Sequence, residues 1–155
     1  MEDVLFIVDC MLGRLAKWLR ILGFNVQYVR TIHDDDLIRS GTGPGRILLT
    51  RDTGLTERSD VGPFLFIRSD FVQEQLSQVI ESLHLTLNFN KFLTRCVSCN
   101  GLLESIPYEQ ARGRIPDFII MSCRVFSRCT QCGKLYWAGS HQREMLNMIK
   151  KLGLC

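Results

Sequence analysis

The stretch Val4-Leu5-Phe6-Ile7-Val8-Asp9-Cys10-Met11-Leu12-Gly13-Arg14-Leu15-Ala16-Lys17-Trp18-Leu19-Arg20-Ile21-Leu22-Gly23 decides the fold class. Its five consecutive apolar residues, closed by Asp9, read as a strand buried on both faces, as in a parallel sheet. Met11, Leu12, Leu15, Trp18, Leu19 and Leu22 then recur at spacings of three and four, which predicts a helix over residues 11–22. Gly23 supplies its stop, because glycine accepts the left-handed conformation common just past a helix end. Working outward, the same strand-then-helix rhythm continues, with strands at 25–29, 46–50 and 64–68 and helices at 34–40 and 71–83. Successive units of this kind imply an α/β domain, small and doubly wound around a parallel sheet, over residues 1–90. The break Gly41-Thr42-Gly43-Pro44-Gly45 lacks the Lys-Ser/Thr ending of a phosphate-binding loop and reads as a connection.

The whole chain has 155 residues, 46% of them hydrophobic and 23% charged, which fits one globular domain with a small appendage and excludes disordered or collagen-like classes. No apolar run is long enough for a membrane span, and Glu2 and Asp3 stand where a secretory leader would be basic, so a cytoplasmic location with no membrane partner is expected. Residues 1–90 carry nine basic and twelve acidic side chains, whereas residues 91–155 carry ten and four. The second part, net +6, reads as either an anion-binding module or a solubilising surface.

Seven cysteines in a reducing compartment point to metal rather than disulfides. Cys96-Val97-Ser98-Cys99 and Cys129-Thr130-Gln131-Cys132 are two C-x₂-C pairs separated by 29 residues. Each pair can clamp one edge of a tetrahedron, and two close a four-thiolate zinc site with no open position, a structural role. Gly101 and Gly133 are expected to relax the two turns. Residues 84–94 read as a linker, 118–121 and 123–126 as strand-like runs, and 142–152 as a final helix, so that residues 91–155 form a small ribbon with a terminal helix. Cys10, Cys123 and Cys155 have no partner spacing and His33, His84 and His141 are scattered, which leaves no legible nucleophile–base pair.

In an open parallel sheet, ligands sit outside the carboxyl ends of the strands. Asp9, Asp52 and Asp70 follow three predicted strands, and Asp34, Asp35 and Asp36 open the helix after the second. Such acids repel one another unless a cation fills the cluster, and hard oxygen donors suit Mg²⁺ or Mn²⁺ and metal-assisted phosphodiester hydrolysis. The same residue type also caps helices and forms turns, so each aspartate carries both readings. Arg14, Lys17 and Arg20 recur at three-residue spacing beside Asp9, and Arg51 adjoins Asp52. These four are candidate phosphate ligands, or else an ordinary solvated surface.

Residues 9–20 with Leu22-Gly23-Phe24, and Arg46-Ile47-Leu48-Leu49-Thr50-Arg51-Asp52, resemble the PIN-like RNase domain found at the carboxyl end of mutator-seven type exonucleases, the Mut7-C RNase family. Arg95-Cys96-x-x-Cys99-Asn100-Gly101 and Cys129-x-x-Cys132-Gly133-Lys134-x-Tyr136-Trp137-x-Gly139-Ser140-His141 resemble the zinc ribbon fused to it. The resemblance implies a three-layer α/β/α PIN-like fold, metal-dependent RNA cleavage, and a ribbon that binds RNA, single-stranded by preference. It makes Asp9, Asp34 and Asp52 the catalytic Mg/Mn ligands, with Asp35 one register away and Asp70 a candidate fourth acid. It leaves a non-catalytic RNA- or ribosome-binding adaptor as the alternative. In the ribbon Arg95, Arg112, Arg114, Arg124, Arg128 and Lys134 supply charge, Tyr136 and Trp137 either stack on bases or pack inward, and Ser140 is expected to cap the last helix.

Overall fold

The computed structural model describes residues 3–42 and 45–153, so Glu2, Gly43, Pro44 and Cys155 lie outside the described residues. The chain divides into two compact units, residues 1–100 and 101–155. The first is built on four parallel strands in the order β2-β1-β3-β4: β1 (Leu5–Val8), β2 (Asn25–Tyr28), β3 (Ile47–Thr50) and β4 (Phe64–Phe66). Phe6, Ile7, Val8 and Leu49 are fully or almost fully buried, as a strand covered on both faces requires.

Four helices connect and follow these strands: α1 (Gly13–Ile21), α2 (Asp34–Thr42), α3 (Thr53–Thr56) and α4 (Val72–Ser82). Helix α1 begins later than its periodicity predicts, because Cys10–Leu12 form a separate 3-10 turn capped by Asp9. Leu15, Ala16 and Leu19 of α1 and Leu76 and Val79 of α4 are completely buried. Leu37 and Ile38 of α2 and Leu55 of α3 pack with Ile7 and Leu48 of the sheet. Helix α2 takes in Gly41 and Thr42, which the sequence assigned to a break.

The order of the strands fixes where a ligand crevice can open. From β1 the chain steps to β2 on one side, then returns past β1 to β3 and β4 on the other. The switch falls between β1 and β3; Asp9 follows β1 directly and Asp52 lies two residues past the end of β3.

Residues 84–94 are not a free linker. His84 and Leu93 hold left-handed backbone, Phe89–Lys91 form a 3-10 turn, and the Leu93 amide donates to the Ile21 carbonyl at 2.8 Å. Gly23, at φ +93°, lies so close to the Lys91 carbonyl that a Cβ would sit 2.3 Å from its oxygen. Helix α1 therefore stops at a glycine for two reasons, conformation and close approach.

The second unit holds a three-stranded antiparallel sheet, β5 (Leu103–Ile106), β6 (Phe126–Cys129) and β7 (Leu135–Trp137), with β6 central. Its helices are α5 (Tyr108–Ala111), α6 (Asp117–Ser122) and α7 (Ser140–Lys151). Ile106, Ala111, Ile115, Ile120 and Phe126 form its core. The runs 118–121 and 123–126 are not strands: the first lies in α6 and only Phe126 of the second enters β6. Pro116 stands at the helix entrance with Asp117 in the first turn, and the amides of Ile119 and Ile120 both donate to the Pro116 carbonyl. A short apolar run does not distinguish strand from helix by itself, and here the Pro-Asp start decides it. Gly139, rather than Ser140, occupies the cap position of α7.

Candidate functional site

Asp9 is only 5% exposed, at the end of β1. One carboxylate oxygen accepts a hydrogen bond from the Thr50 hydroxyl at 2.8 Å, and the other faces the Met11 amide at 3.5 Å. Thr50 is itself fully buried, and its Oγ1 accepts from the Asp52 amide at 3.0 Å. One threonine on β3 thus ties the acid after β1 to the turn that carries the acid after β3. Sequence reading passed over Thr50, and the signal was present as a hydroxyl at the last position of an otherwise apolar strand.

Asp52 is half-buried and caps α3, accepting the Gly54 amide at 2.8 Å. Asp34 is exposed at the first position of α2. The Cys10 thiol is held above its ordinary range, chiefly by its hydrogen bond to Asp9, then by burial and by the negative charges of Asp9 and Asp34. Asp34 is therefore close enough to act on the same side chain as Asp9, and Cys10 stays a protonated thiol at neutral pH.

The ion pairs sort the aspartates of this unit. Asp3 pairs with Lys91, Asp35 and Asp60 with Arg58, Asp36 with Arg39, and Asp70 with Arg51. Among the described residues Asp9, Asp34 and Asp52 have no cation partner. Those three carboxylates do not form a group as close as the cysteine quartet below.

The candidate cations separate too. Arg14 and Lys17 are exposed on α1. Arg20 is 4% exposed and faces inward, its guanidinium donating to the Val26 carbonyl from Nε and Nη2 and to the Val97 carbonyl from Nη1 at 2.9 Å. It stands on the buried face of α1, three residues being less than one full turn, so it does not continue the exposed row. Arg51 is largely covered and paired with Asp70.

The sulfur atoms of Cys96, Cys99, Cys129 and Cys132 all lie within 4.8 Å of one another. A tetrahedral ion with sulfur at about 2.3 Å needs sulfurs roughly 3.8 Å apart, so these four are placed to hold one ion. Both knuckles make the same turn. The Asn100 amide donates to the Cys96 carbonyl at 2.9 Å and the Gly133 amide to the Cys129 carbonyl at 3.1 Å, with φ +71° at Asn100 and +75° at Gly133. Amides of Gln131 and Cys132 point at the Cys129 sulfur at 3.4 and 3.5 Å.

The first left-handed position is thus Asn100, not Gly101. Gly101 is required for another reason, because a Cβ there would sit 2.8 Å from the Cys129 sulfur. Asn100 also accepts from the Val26 amide and donates to Asn25, holding its knuckle to strand β2. In the second unit Arg112, Arg114 and Arg124 are exposed, Arg128 pairs with Glu104, and Lys134 lies over the Tyr136 ring. Trp137 is part-exposed beside Gly139.

Fold and site together define a class, an α/β protein with an acidic strand-end rim and a cysteine cluster consistent with a zinc ribbon. Within that class the chain belongs to the Mut7-C RNAse domain family, whose model matches residues 4–149. The family suggests a nuclease-like role. No curated protein and no solved structure matched the chain in the corresponding comparisons. Among the described residues no helix is long and apolar enough to cross a membrane.

Proposed function

We propose that this protein is a divalent-metal-dependent ribonuclease with a three-layer PIN-like α/β/α domain, acting on single-stranded RNA in the cytoplasm. The observation that carries the reading is the sorting of acids. Among the described residues five aspartates of residues 1–100 pair with basic side chains, and the three without a cation partner, Asp9, Asp34 and Asp52, are those that follow β1, open α2 and follow β3. Asp9 is the telling member, since a nearly buried carboxylate that meets a hydroxyl, a thiol and a distant amide but, among the described residues, no cation is costly until one joins it.

These three carboxylates would hold Mg²⁺ or Mn²⁺, which when bound lowers the pKa of its water and stabilises charge building on a phosphodiester. The protein's own contributions are positional. Thr50 fixes the rotamer of Asp9, α3 fixes Asp52 through its cap, and Arg51 holds Asp70 away as a neutral pair. Arg14 and Lys17, exposed and without ion pairs among the described residues, lie next to Asp9 in sequence and suit the phosphates of the substrate. The cysteine quartet would hold zinc as a structural ion, and the exposed arginines of the ribbon would add sequence-independent grip on RNA.

A second reading, a non-catalytic RNA- or ribosome-binding adaptor, is favoured by one observation: Asp52 already has a structural task as the cap of α3. Incubating 5′-labelled single-stranded RNA with Mn²⁺ and either the native chain or Asp9→Asn separates the two. The nuclease reading expects at least about a thousand-fold slower cleavage in the variant, with folding retained because asparagine can still accept from Thr50. Equal rates, or RNA binding without any turnover by the native chain, would reject it.

A further inference from the structure

Phe71 is out of keeping with its position. It stands at the N-cap of α4, where Ser, Thr, Asp or Asn normally accept the first free amides, and its side chain caps nothing. It is also 71% exposed, although the backbone that carries it is firmly held. The Phe71 amide donates to the Ser69 hydroxyl at 3.0 Å, that hydroxyl donates to Glu74, and the buried Gln75 donates to the Ser69 carbonyl at 2.8 Å. A rigid turn therefore presents an aromatic ring to solvent. Departures from local preference on a well-ordered scaffold are where function is expected.

The surroundings say what the ring is for. Phe71 lines a cavity of about 440 Å³ together with Arg14, Asp70, Val72, Gln73 and Glu74. Asp70 is neutralised by Arg51, the neighbour of Asp52, so this cavity adjoins the acidic rim. Arg14 opens into it from α1, without an ion pair among the described residues. The cavity offers a hydrophobic platform, hydrogen-bond acceptors along one wall, and one cation.

We infer that this cavity seats a single unpaired nucleobase of the RNA, stacked on Phe71, with Arg14 on the adjoining phosphate. The inference rests on the ribonuclease reading for the identity of the ligand. An aromatic face is tolerant of sequence, because every base has a π-surface, and a preorganised ring loses little freedom on binding. The acceptors of Gln73 and Glu74 would meet the N–H edges of the base rather than its phosphate, which leaves the phosphate to Arg14.

The test is fluorescence anisotropy of a labelled single-stranded RNA twelve-mer on the full zinc-loaded chain, in an Asp9→Asn background that leaves the RNA uncut. Phe71→Ala is expected to weaken binding about 5- to 100-fold, and Phe71→Trp to retain it. Phe71→Ser guards against unfolding: as a better cap it should raise the melting temperature while weakening RNA binding to the same extent. Native-like affinity in both the Ala and Ser variants would overturn the proposal. Failure of the native chain to bind RNA at all would sink it together with the RNA reading. Loss of binding in Phe71→Ala without cleavage by the native chain would support the seat while rejecting the catalysis.

Discussion

The two sets of candidate metal donors are built in opposite ways. Four cysteine sulfurs lie within 4.8 Å of one another, their turns closed by matched backbone bonds and left-handed residues. Asp9, Asp34 and Asp52 come from three separate strand–helix junctions. Each has a different local setting: a threonine partner, solvent at a helix start, and a cap. A thiolate quartet of this kind is part of the fold and should be lost only with it. A carboxylate trio of this kind sits at the rim of the fold, and replacing its members by the matching amides should largely spare the fold while touching what the fold does.

The contrast fails if a cysteine proves expendable. Cys129→Ser is expected to have the largest effect on stability, forfeiting several of the roughly 10–16 kcal/mol that a structural zinc can supply. Hydrogen exchange should show β5, β6 and β7 losing protection, and protection retained there would refute the structural role of the site.

Next in size is Arg20→Met, which keeps the packed stem but leaves the Val26 and Val97 carbonyls without their donor. A loss of about 2–4 kcal/mol in urea unfolding is expected. A neutral outcome would mean that the first knuckle does not depend on α1.

Asp34→Asn sharpens the other side of the contrast. It is exposed and has no ion pair among the described residues, so the unfolding free energy should stay within about 0.5 kcal/mol of native while Mn²⁺-dependent RNA cleavage falls. A strongly destabilised variant would assign Asp34 to the scaffold instead.

The smallest effect concerns the paired acids. Arg58 holds the Asp60 carboxyl below its usual 3.8, and Lys91 does the same for Asp3. Because the folded-state values are depressed, their contributions are complete above the unfolded value and fade as pH falls through the folded one. Arg58→Gln should move the acid unfolding midpoint slightly upward, and an unchanged midpoint would show that the pair at this exposed site is silent.

Much of this was legible in the sequence because it rests on period and spacing. Alternating apolar runs and helical stripes announce the parallel sheet, and C-x₂-C pairs announce the quartet, whatever surrounds them. What escaped depends on where a side chain ends up after folding. Arg20 looks like its neighbours Arg14 and Lys17 in a row of cations, yet it lies on the buried side of the helix. Asn100 looks like an ordinary polar residue, yet it supplies both a left-handed turn and two bonds to β2. Residues 118–121 fit strand and helix equally until Pro116 and Asp117 are weighed as a helix start. Phe71 escaped because one aromatic residue before a helix has no periodicity to betray its exposure.

The segment between α4 and Cys96 bears on proteolysis. Lys91 and Arg95 would be obvious trypsin targets in a slack tether. With the Lys91 carbonyl against Gly23 and the Leu93 amide fastened to Ile21, a protease must first peel that strip from the end of α1 before it can thread the chain. Digestion of the native protein should therefore spare this stretch.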